Sequence, residues 1–173
     1  MRRATIIGYH GMENFGDDLF LQIITGWLGE RHGIWRGFLH AVRVPTPLLP
    51  TGMDMQAIHP EGRRIRRLDW LRQGLAAFRS DVVVLAAGSI FAGPQFHQPG
   101  LLLRGLRLAD RVSRRHTSVL GLGLSLGPFP GVRERTLTAT ALACADVLLL
   151  RDQSSMEEAR RMGLRQARLS QDL

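Results

Sequence analysis

Apolar and polar residues follow two different patterns in this chain, and segments with the two patterns alternate along the sequence. The segment "ATIIGY" contains a run of β-formers and is typical of a strand, and "DVVVLAAGS" is a short continuous apolar run of the kind found in strands that are buried on both faces of a sheet. Between them lie longer segments whose apolar residues recur every three or four positions, as on one side of a helix. The pattern therefore predicts a regular succession of strand and helix.

The boundaries of these elements can be placed from the apolar runs and from Gly and Pro. Strands are predicted at 4–9, 37–44, 81–89, 118–125, 146–152 and 166–170, and helices at 17–31, 63–80, 101–115, 133–145 and 154–163. Residues 45–62 contain four prolines and are predicted to form a long irregular connection.

Three of the predicted helices carry more specific expectations. In the first, apolar rows are formed by Leu19, Ile23 and Trp27 and by Phe20 and Ile24. In the second, we expect one apolar side to face the sheet, namely Ile65, Leu68, Leu71, Leu75 and Phe78. In the last, Ser155 and Glu158 have the spacing of a capping box, and Gly163 marks the end of the helix.

The alternation of strand and helix, with no hairpin signal, indicates the fold class. It predicts an α/β, Rossmann-like, open and mainly parallel sheet with helices on both faces, formed as a single domain by residues 1–173. In such sheets, ligands bind beyond the carboxyl ends of the strands. The loops "GYHGMENFGDD", "LAAGSIFAG", "LGLSLGPFPG" and "LLLRDQSS" all leave predicted strands at that end.

Composition narrows the possibilities further. With 173 residues, of which 45% are hydrophobic, the chain can bury one core without a disulfide or a metal ion. Its single cysteine, Cys144, fits a reducing compartment and is interpreted as a small buried residue rather than a nucleophile. The longest apolar run is too short to span a bilayer, and we expect a cytoplasmic protein.

The net charge of +8 comes from 23 basic residues, all of them arginine. Arginine suits phosphate and carboxylate partners, but most of these side chains are expected to form a solvated surface. Nucleic acid is not expected as a partner, because aromatic residues that would stack on bases are few. A dinucleotide site is not indicated either, since "GYHGMENFG" lacks the G-x-G-x-x-G spacing and "HAVRVPT" ends without an acid.

Four loop motifs follow one another along the chain. They are Asn14-Phe15-Gly16-Asp17-Asp18; Ala86-Ala87-Gly88-Ser89; Gly121-Leu122-Gly123 with Gly127-Pro128; and Arg151-Asp152-Gln153-Ser154-Ser155. Together, these motifs resemble those of the polysaccharide pyruvyl transferase family. They occur in the family's order and span nearly the whole chain, although two alanines replace glycines in the second motif.

The resemblance implies a transferase that moves pyruvate from phosphoenolpyruvate to a saccharide as a ketal, in exopolysaccharide or cell-surface polysaccharide biosynthesis. Phosphoenolpyruvate would be the donor substrate, and neither a cofactor nor a metal is implied. Members of the family resemble two-domain, glycosyltransferase-B-like proteins, and this chain matches the N-terminal half. A second domain or chain would then complete the site, and this chain alone is expected to bind phosphoenolpyruvate weakly and to transfer no pyruvate.

The resemblance also selects candidate site residues. Asp17 and Arg151 are the catalytic candidates; Arg151 would hold an anionic group of the donor, and Asp17 would bind a sugar hydroxyl or take its proton. Asp18 is interpreted as an acid that caps the first helix and complements its dipole, and capping explains Asp17 nearly as well as a role in the site. Further candidates for substrate binding are Asn14, Gly16, Gly88, Ser89, Asp152 and Ser155, with Asp152 expected to orient Arg151.

Three alternatives remain open at this point. The chain could be a Rossmann-like enzyme that uses a nucleotide, or a non-catalytic domain that binds a partner. The arginine-flanked helix at 63–79 could also contact an anionic membrane from the cytoplasmic face, where lipid-linked saccharides are assembled.

Overall fold

The fold is a parallel α/β sheet. The computed structural model describes residues 2–8, 15–41, 44–58, 66–88 and 97–170. Seven parallel strands form one sheet in the order β3-β2-β1-β4-β5-β6-β7. The strands are β1 (Ala4–Ile7), β2 (Arg36–Leu39), β3 (Asp54–Ala57), β4 (Val82–Gly88), β5 (Ser118–Leu124), β6 (Val147–Leu150) and β7 (Ala167–Leu169).

Helices connect most of the strands. They are α1 (Phe15–His32), α2 (Arg66–Phe78), α3 (His97–Ser113), α4 (Val132–Leu142) and α5 (Gln153–Arg161), and a short 3-10 helix spans Thr46–Leu48. The predicted fold class is therefore confirmed. The strand order reverses direction between β1 and β4, which is where sheets of this type bind ligands.

The side chains of β4 point alternately into two hydrophobic clusters, one on each face of the sheet. Val83 and Leu85 pack with Leu103 of α3 in one cluster. Val84 packs in the other cluster, which includes Leu21 of α1. Because successive side chains of a strand point to opposite faces, helices cover both faces of the sheet, as predicted.

One apolar row predicted for α1 and the apolar side predicted for α2 are the main errors at this level. In α1 the row of Phe20 and Ile24 is confirmed, because both pack in the core with Leu21 and Leu28. The other predicted row, Leu19, Ile23 and Trp27, is exposed. The sequence had apolar residues on more than one side of this helix, and spacing alone does not select the side that meets the sheet.

The error in α2 has a different cause. Leu71, Leu75 and Phe78 are exposed, and the buried side is formed by Gln73, Ala76 and Ala77. The small side chains of Ala76 and Ala77 allow the helix to lie against the sheet. Just after the helix, the hydroxyl of Ser80 shares a hydrogen bond of 2.8 Å with the hydroxyl of Thr5 of β1. Ile65 lies outside the described residues.

Strand β3 was missed altogether. It lies inside the region 45–62, which was expected to be irregular. Asp54 begins the strand and its backbone N–H donates to the carbonyl of Trp35 at 2.8 Å. A strand of four residues at the edge of a sheet has too little pattern to be recognised after three prolines.

Across the described segments, the helices are too short or too polar to traverse a lipid bilayer.

Candidate functional site

The carboxyl ends of β4, β5 and β6 form a continuous row in the centre of the sheet. Leu124 of β5 pairs with Gly88 on one side and with Leu150 on the other. The backbone N–H of Arg151, directly after β6, donates to the carbonyl of Leu124 at 3.2 Å. Neighbouring strands are about 4.8 Å apart, so Gly88 and Arg151 are separated by about 10 Å.

Two glycines shape the strand in the middle of this row. The pairing of β5 with β6 shifts register between Leu122 and Leu124, and Gly123 occupies the irregularity with a φ of +63°. A Cβ atom at Gly123 would lie 2.5 Å from Cζ of Phe20, and one at Gly121 would lie 2.6 Å from a methyl group of Leu148. The Gly-x-Gly motif is therefore explained by packing and by backbone conformation.

A group of polar side chains follows β5 and β6 at this edge. We name it the carboxyl-edge cluster; it consists of Ser125, Arg151, Asp152, Ser154 and Ser155. Asp152 is at its centre and caps helix α5, because its Oδ1 accepts the backbone N–H of Ser155 at 2.7 Å. The hydroxyl of Ser154 also donates to Oδ1, at 2.7 Å, and that of Ser125 donates to Oδ2 at 3.2 Å.

These hydrogen bonds determine the charge of Asp152. Burial raises its pKa, but the hydrogen bonds from Ser154, Ser155 and Ser125 lower it by more, so the pKa falls from the ordinary 3.8 to about 2. Asp152 therefore remains ionised at neutral pH and is unsuited to take a proton. The expectation that Asp152 orients Arg151 stays a prediction.

Arg151 is well placed to meet a ligand. Its side chain is 56% exposed, and its Nε lies 3.7 Å from Oδ2 of Asp152. The ion pair places a carboxylate beside one end of the guanidinium group and offsets part of its charge. An anion as highly charged as phosphoenolpyruvate would need cations in addition to Arg151.

Ser155 has a different role from the one suggested by the capping-box spacing. The residue is only 1% exposed, and its Oγ accepts the backbone N–H of Leu126 at 2.8 Å. Asp152 is the N-cap, so Ser155 lies within the first turn of α5. The predicted capping box from Ser155 to Glu158 is thus wrong, because the acid three residues before Ser155 caps the helix instead.

Glu158 has its own partners in the interior. Its carboxylate is nearly buried and pairs with Arg135 of α4 and, at 3.1 Å, with Arg161 of α5. These contacts join α4 to α5. The end of α5 is as predicted, since Gly163 follows it with a φ of +72°.

The first turn of α1 lies at the same end of the sheet. The helix begins at Phe15, two residues earlier than predicted, so Gly16, Asp17 and Asp18 all belong to its first turn. The contact between Phe20 and Gly123 shows that the start of α1 passes over the end of β5. Both aspartates are partly buried, and their charge complements the helix dipole.

The remaining candidates at this edge are described only in part. Gly88 is the last residue of β4. Asn14 and Ser89, like His10 in the first loop, lie outside the described residues. Their assignment to substrate binding stays a prediction.

Sequence reasoning missed a second polar network, at the amino ends of β5 and β6. Arg107 of α3 donates to the carbonyls of Cys144 and Thr117 and forms ion pairs with Asp110 and Asp146. Asp110 is buried and also accepts the backbone N–H and the hydroxyl of Thr117, both at 2.9 Å. The only signal in the sequence is the i, i+3 spacing of Arg107 and Asp110.

Two further observations bear on the candidate chemistry. Cys144 is only partly buried, and its thiol lies 3.8 Å from the carbonyl of Thr140 at the end of α4. Among the described side chains, no three of the types His, Cys, Asp and Glu come together as a metal site requires.

Comparison with known proteins identifies the fold and no more. No family model matches the sequence. No curated protein matches it either. A solved structure with a similar fold is "lipopolysaccharide outer core galactosyltransferase WaaB apo form", with a TM-score of 0.55 and 10% sequence identity.

The similarity to WaaB covers 98% of this chain and 45% of that chain, so the present sequence spans less than half the length of its structural relative. The protein therefore has a glycosyltransferase-like, Rossmann-like α/β fold. The resemblance to polysaccharide pyruvyl transferases stays a prediction.

Proposed function

We propose that this chain is one Rossmann-like half of a polysaccharide pyruvyl transferase. The observation that supports the proposal is the position of the motif-bearing loops, which leave four adjacent parallel strands, β1, β4, β5 and β6, at one edge of the sheet. A fold similar to that of a glycosyltransferase chain is compatible with a saccharide acceptor.

In the proposed reaction, C3 of phosphoenolpyruvate gains a proton and a sugar hydroxyl attacks C2. A second hydroxyl of the same sugar then displaces phosphate from C2, which gives the cyclic ketal and releases inorganic phosphate. Arg151 would hold the phosphate or the carboxylate of the donor, and Asp152 would fix the orientation of the guanidinium group. Asp17 would face the acceptor hydroxyl as ligand or base.

The geometry supports only a weak site in this chain by itself. Arg151 is more than half exposed, and the neighbouring Asp152 offsets part of its charge. In a water-filled site, a charge-assisted contact contributes far less than in a closed one. A second domain or chain would supply the missing cations and exclude water.

Calorimetric titration of the 173-residue chain with phosphoenolpyruvate tests the assignment of Arg151. We expect a dissociation constant in the millimolar range, raised by about tenfold in Arg151→Lys, because lysine keeps the charge but lacks the planar bidentate fork. Arg165→Lys is the matched control, since this exposed arginine precedes β7 at the amino edge. Equal affinity of wild type and a folded Arg151→Lys variant would reassign Arg151 to a purely structural ion pair.

Glycosyl transfer is the second candidate, and the observation that favours it is the similarity in fold to WaaB, a galactosyltransferase. The same titration with UDP-galactose distinguishes the two candidate functions. Binding of UDP-galactose without binding of phosphoenolpyruvate would favour glycosyl transfer and contradict the pyruvyl transferase proposal.

A further inference from the structure

Helices α2 and α3 pack side by side on one face of the sheet and expose apolar side chains along their outer surfaces. The exposed residues are spaced four and three apart on α2 and seven and four apart on α3, so each set forms one row along its helix. We name the two rows together the α2–α3 ridge; it consists of Leu71, Leu75, Phe78, Leu101, Leu108 and Val112.

The two rows are separated by an apolar groove of about 390 Å³. The groove is lined by Phe78, Leu101, Leu102 and Ala109. It remains open because Gly74 and Gly105, which also line it, have no Cβ and face empty space. Exposed apolar surface of this extent and continuity marks an interaction site more often than it marks ordinary protein surface.

Arginines flank the ridge. Arg104 and Arg111 each follow a ridge residue by three positions, which places them about 60° around α3 from the apolar row. Arg79 and Arg114 are exposed just beyond the ends of the two helices. Among the described side chains of α2 and α3, the one acid is Asp110, and it is buried.

The basic margin extends past α2. Arg79 lines a polar cavity of about 210 Å³ that Arg3 and Arg36 also line, together with the acid Asp54. The exposed border on this side therefore carries an excess of positive charge.

Phe78 is held in place by an arginine of its own. The guanidinium of Arg115 donates to the carbonyl of Phe78 at 2.9 Å and lies 5.5 Å from the centre of its ring. An aromatic ring fixed in an exposed position, beside cations, is suited to the interface between water and lipid.

We propose that the α2–α3 ridge docks on the surface of an anionic phospholipid bilayer. The apolar rows would enter the boundary between headgroups and acyl chains, and the arginines beside them would contact lipid phosphates. This inference goes beyond the transferase chemistry and does not depend on it, since none of the ridge residues belongs to the carboxyl-edge cluster.

Charge distinguishes this surface from the other exposed apolar row. Leu19, Ile23 and Trp27 of α1 are also exposed, but that helix carries Asp17, Asp18 and Glu30. A mixed surface of this kind gains little from an anionic membrane. Charge complementarity therefore favours the α2–α3 side.

Vesicle co-sedimentation tests the proposal with the full chain. We expect binding to vesicles of phosphatidylcholine with phosphatidylglycerol, weak binding to phosphatidylcholine alone, and loss of affinity as salt increases. Leu101→Ser/Val112→Ser should weaken binding by on the order of tenfold. Arg104→Ser/Arg111→Ser should weaken it by about 25-fold, or about fivefold for each arginine.

The controls lie on other parts of the molecule. Leu19→Ser/Ile23→Ser changes the exposed row of α1, and Arg31→Ser/Arg165→Ser removes two exposed arginines away from the ridge. Both control variants should bind as the wild type does. Leu101 and Val112 are 71% and 79% exposed, so their replacement should leave the circular-dichroism melting curve unchanged.

Three results would overturn the proposal. The first is failure of the wild-type chain to bind anionic vesicles. The second is binding that the ridge variants leave unchanged. The third is a dimer in vesicle-free solution that Leu101→Ser/Val112→Ser converts to monomer, since this surface would then be the contact between two copies of the chain.

Discussion

Gly123 occupies a position that other residues could take only with strain. Its φ of +63° belongs to the left-handed region, and the ring of Phe20 fills the space where a Cβ would be. The residue thereby allows the start of α1 to approach β5 and allows β5 to change its register with β6. One glycine positions two of the loops at the candidate site.

Replacing this glycine should therefore be costly. We expect Gly123→Ala to lower the free energy of unfolding by about 2–4 kcal/mol, from left-handed strain and displacement of the Phe20 ring. Gly26→Ala in α1 is the matched control, since a Cβ there meets nothing within 4 Å. It should raise stability by up to about 1 kcal/mol. Urea unfolding of the two variants checks both values, and a Gly123→Ala protein as stable as the wild type would contradict the steric account.

Helix α5 depends on one carboxylate for its start. Asp152 accepts the backbone N–H of Ser155 and the hydroxyls of Ser125 and Ser154. Its pKa in the folded protein, about 2, lies below the ordinary 3.8. The ionised form is therefore favoured by folding, and its contribution to stability is present above pH 3.8 and lost as the pH falls through about 2.

A pair of variants separates the charge from the cap. Asp152→Ala removes both and should cost about 1 kcal/mol at pH 7, whereas Asp152→Asn keeps a capping oxygen and should cost less. The difference in unfolding free energy between wild type and Asp152→Asn should stay constant above pH 4 and shrink as the pH approaches 2. Urea titrations across this pH range measure the difference. A difference that grows on acidification would contradict the conclusion that folding favours the ionised form of Asp152.

Across the whole molecule, the two edges of the sheet carry different kinds of polar group. At the amino edge, Arg107 is bonded to backbone carbonyls and to two aspartates and joins α3 to the beginnings of β5 and β6. At the carboxyl edge, Arg151 keeps more than half of its side chain in solvent. The first arrangement serves stability, and the second leaves a cation available to a ligand.

The contribution of the Arg107 network to stability can be measured by comparing two arginines of α3. Arg107→Ala leaves the buried Asp110 without its guanidinium partner and should cost about 3 kcal/mol or more of stability. Arg104→Ala, one turn earlier on the exposed side of α3, should change stability by less than about 0.5 kcal/mol. Denaturant unfolding distinguishes the two, and equal losses would show that the network contributes nothing specific.

Much of this architecture could be predicted from the sequence because parallel strands buried on both faces give continuous apolar runs, as in β4 and β5. The edge at which Arg151 and Asp152 lie follows from their positions after a strand. The orientation of α1 did not follow, because that helix has apolar residues on more than one side. The orientation of α2 did not follow either, because its buried side consists of Gln73, Ala76 and Ala77, whereas its larger apolar residues are exposed. Arg107 was missed because a helical arginine that binds distant carbonyls has the same local pattern as one that faces water.

The hydrogen bond from the Leu126 backbone to the Ser155 hydroxyl has a consequence for motion. It ties the loop after β5 to the first turn of α5, and the bond from Ser125 to Asp152 adds a second connection between the same two segments. Because both bonds join the same two segments, we expect these segments to move together rather than independently. A ligand that immobilises Arg151 would therefore also reduce the motion of the loop that begins at Ser125, even without contacting that loop.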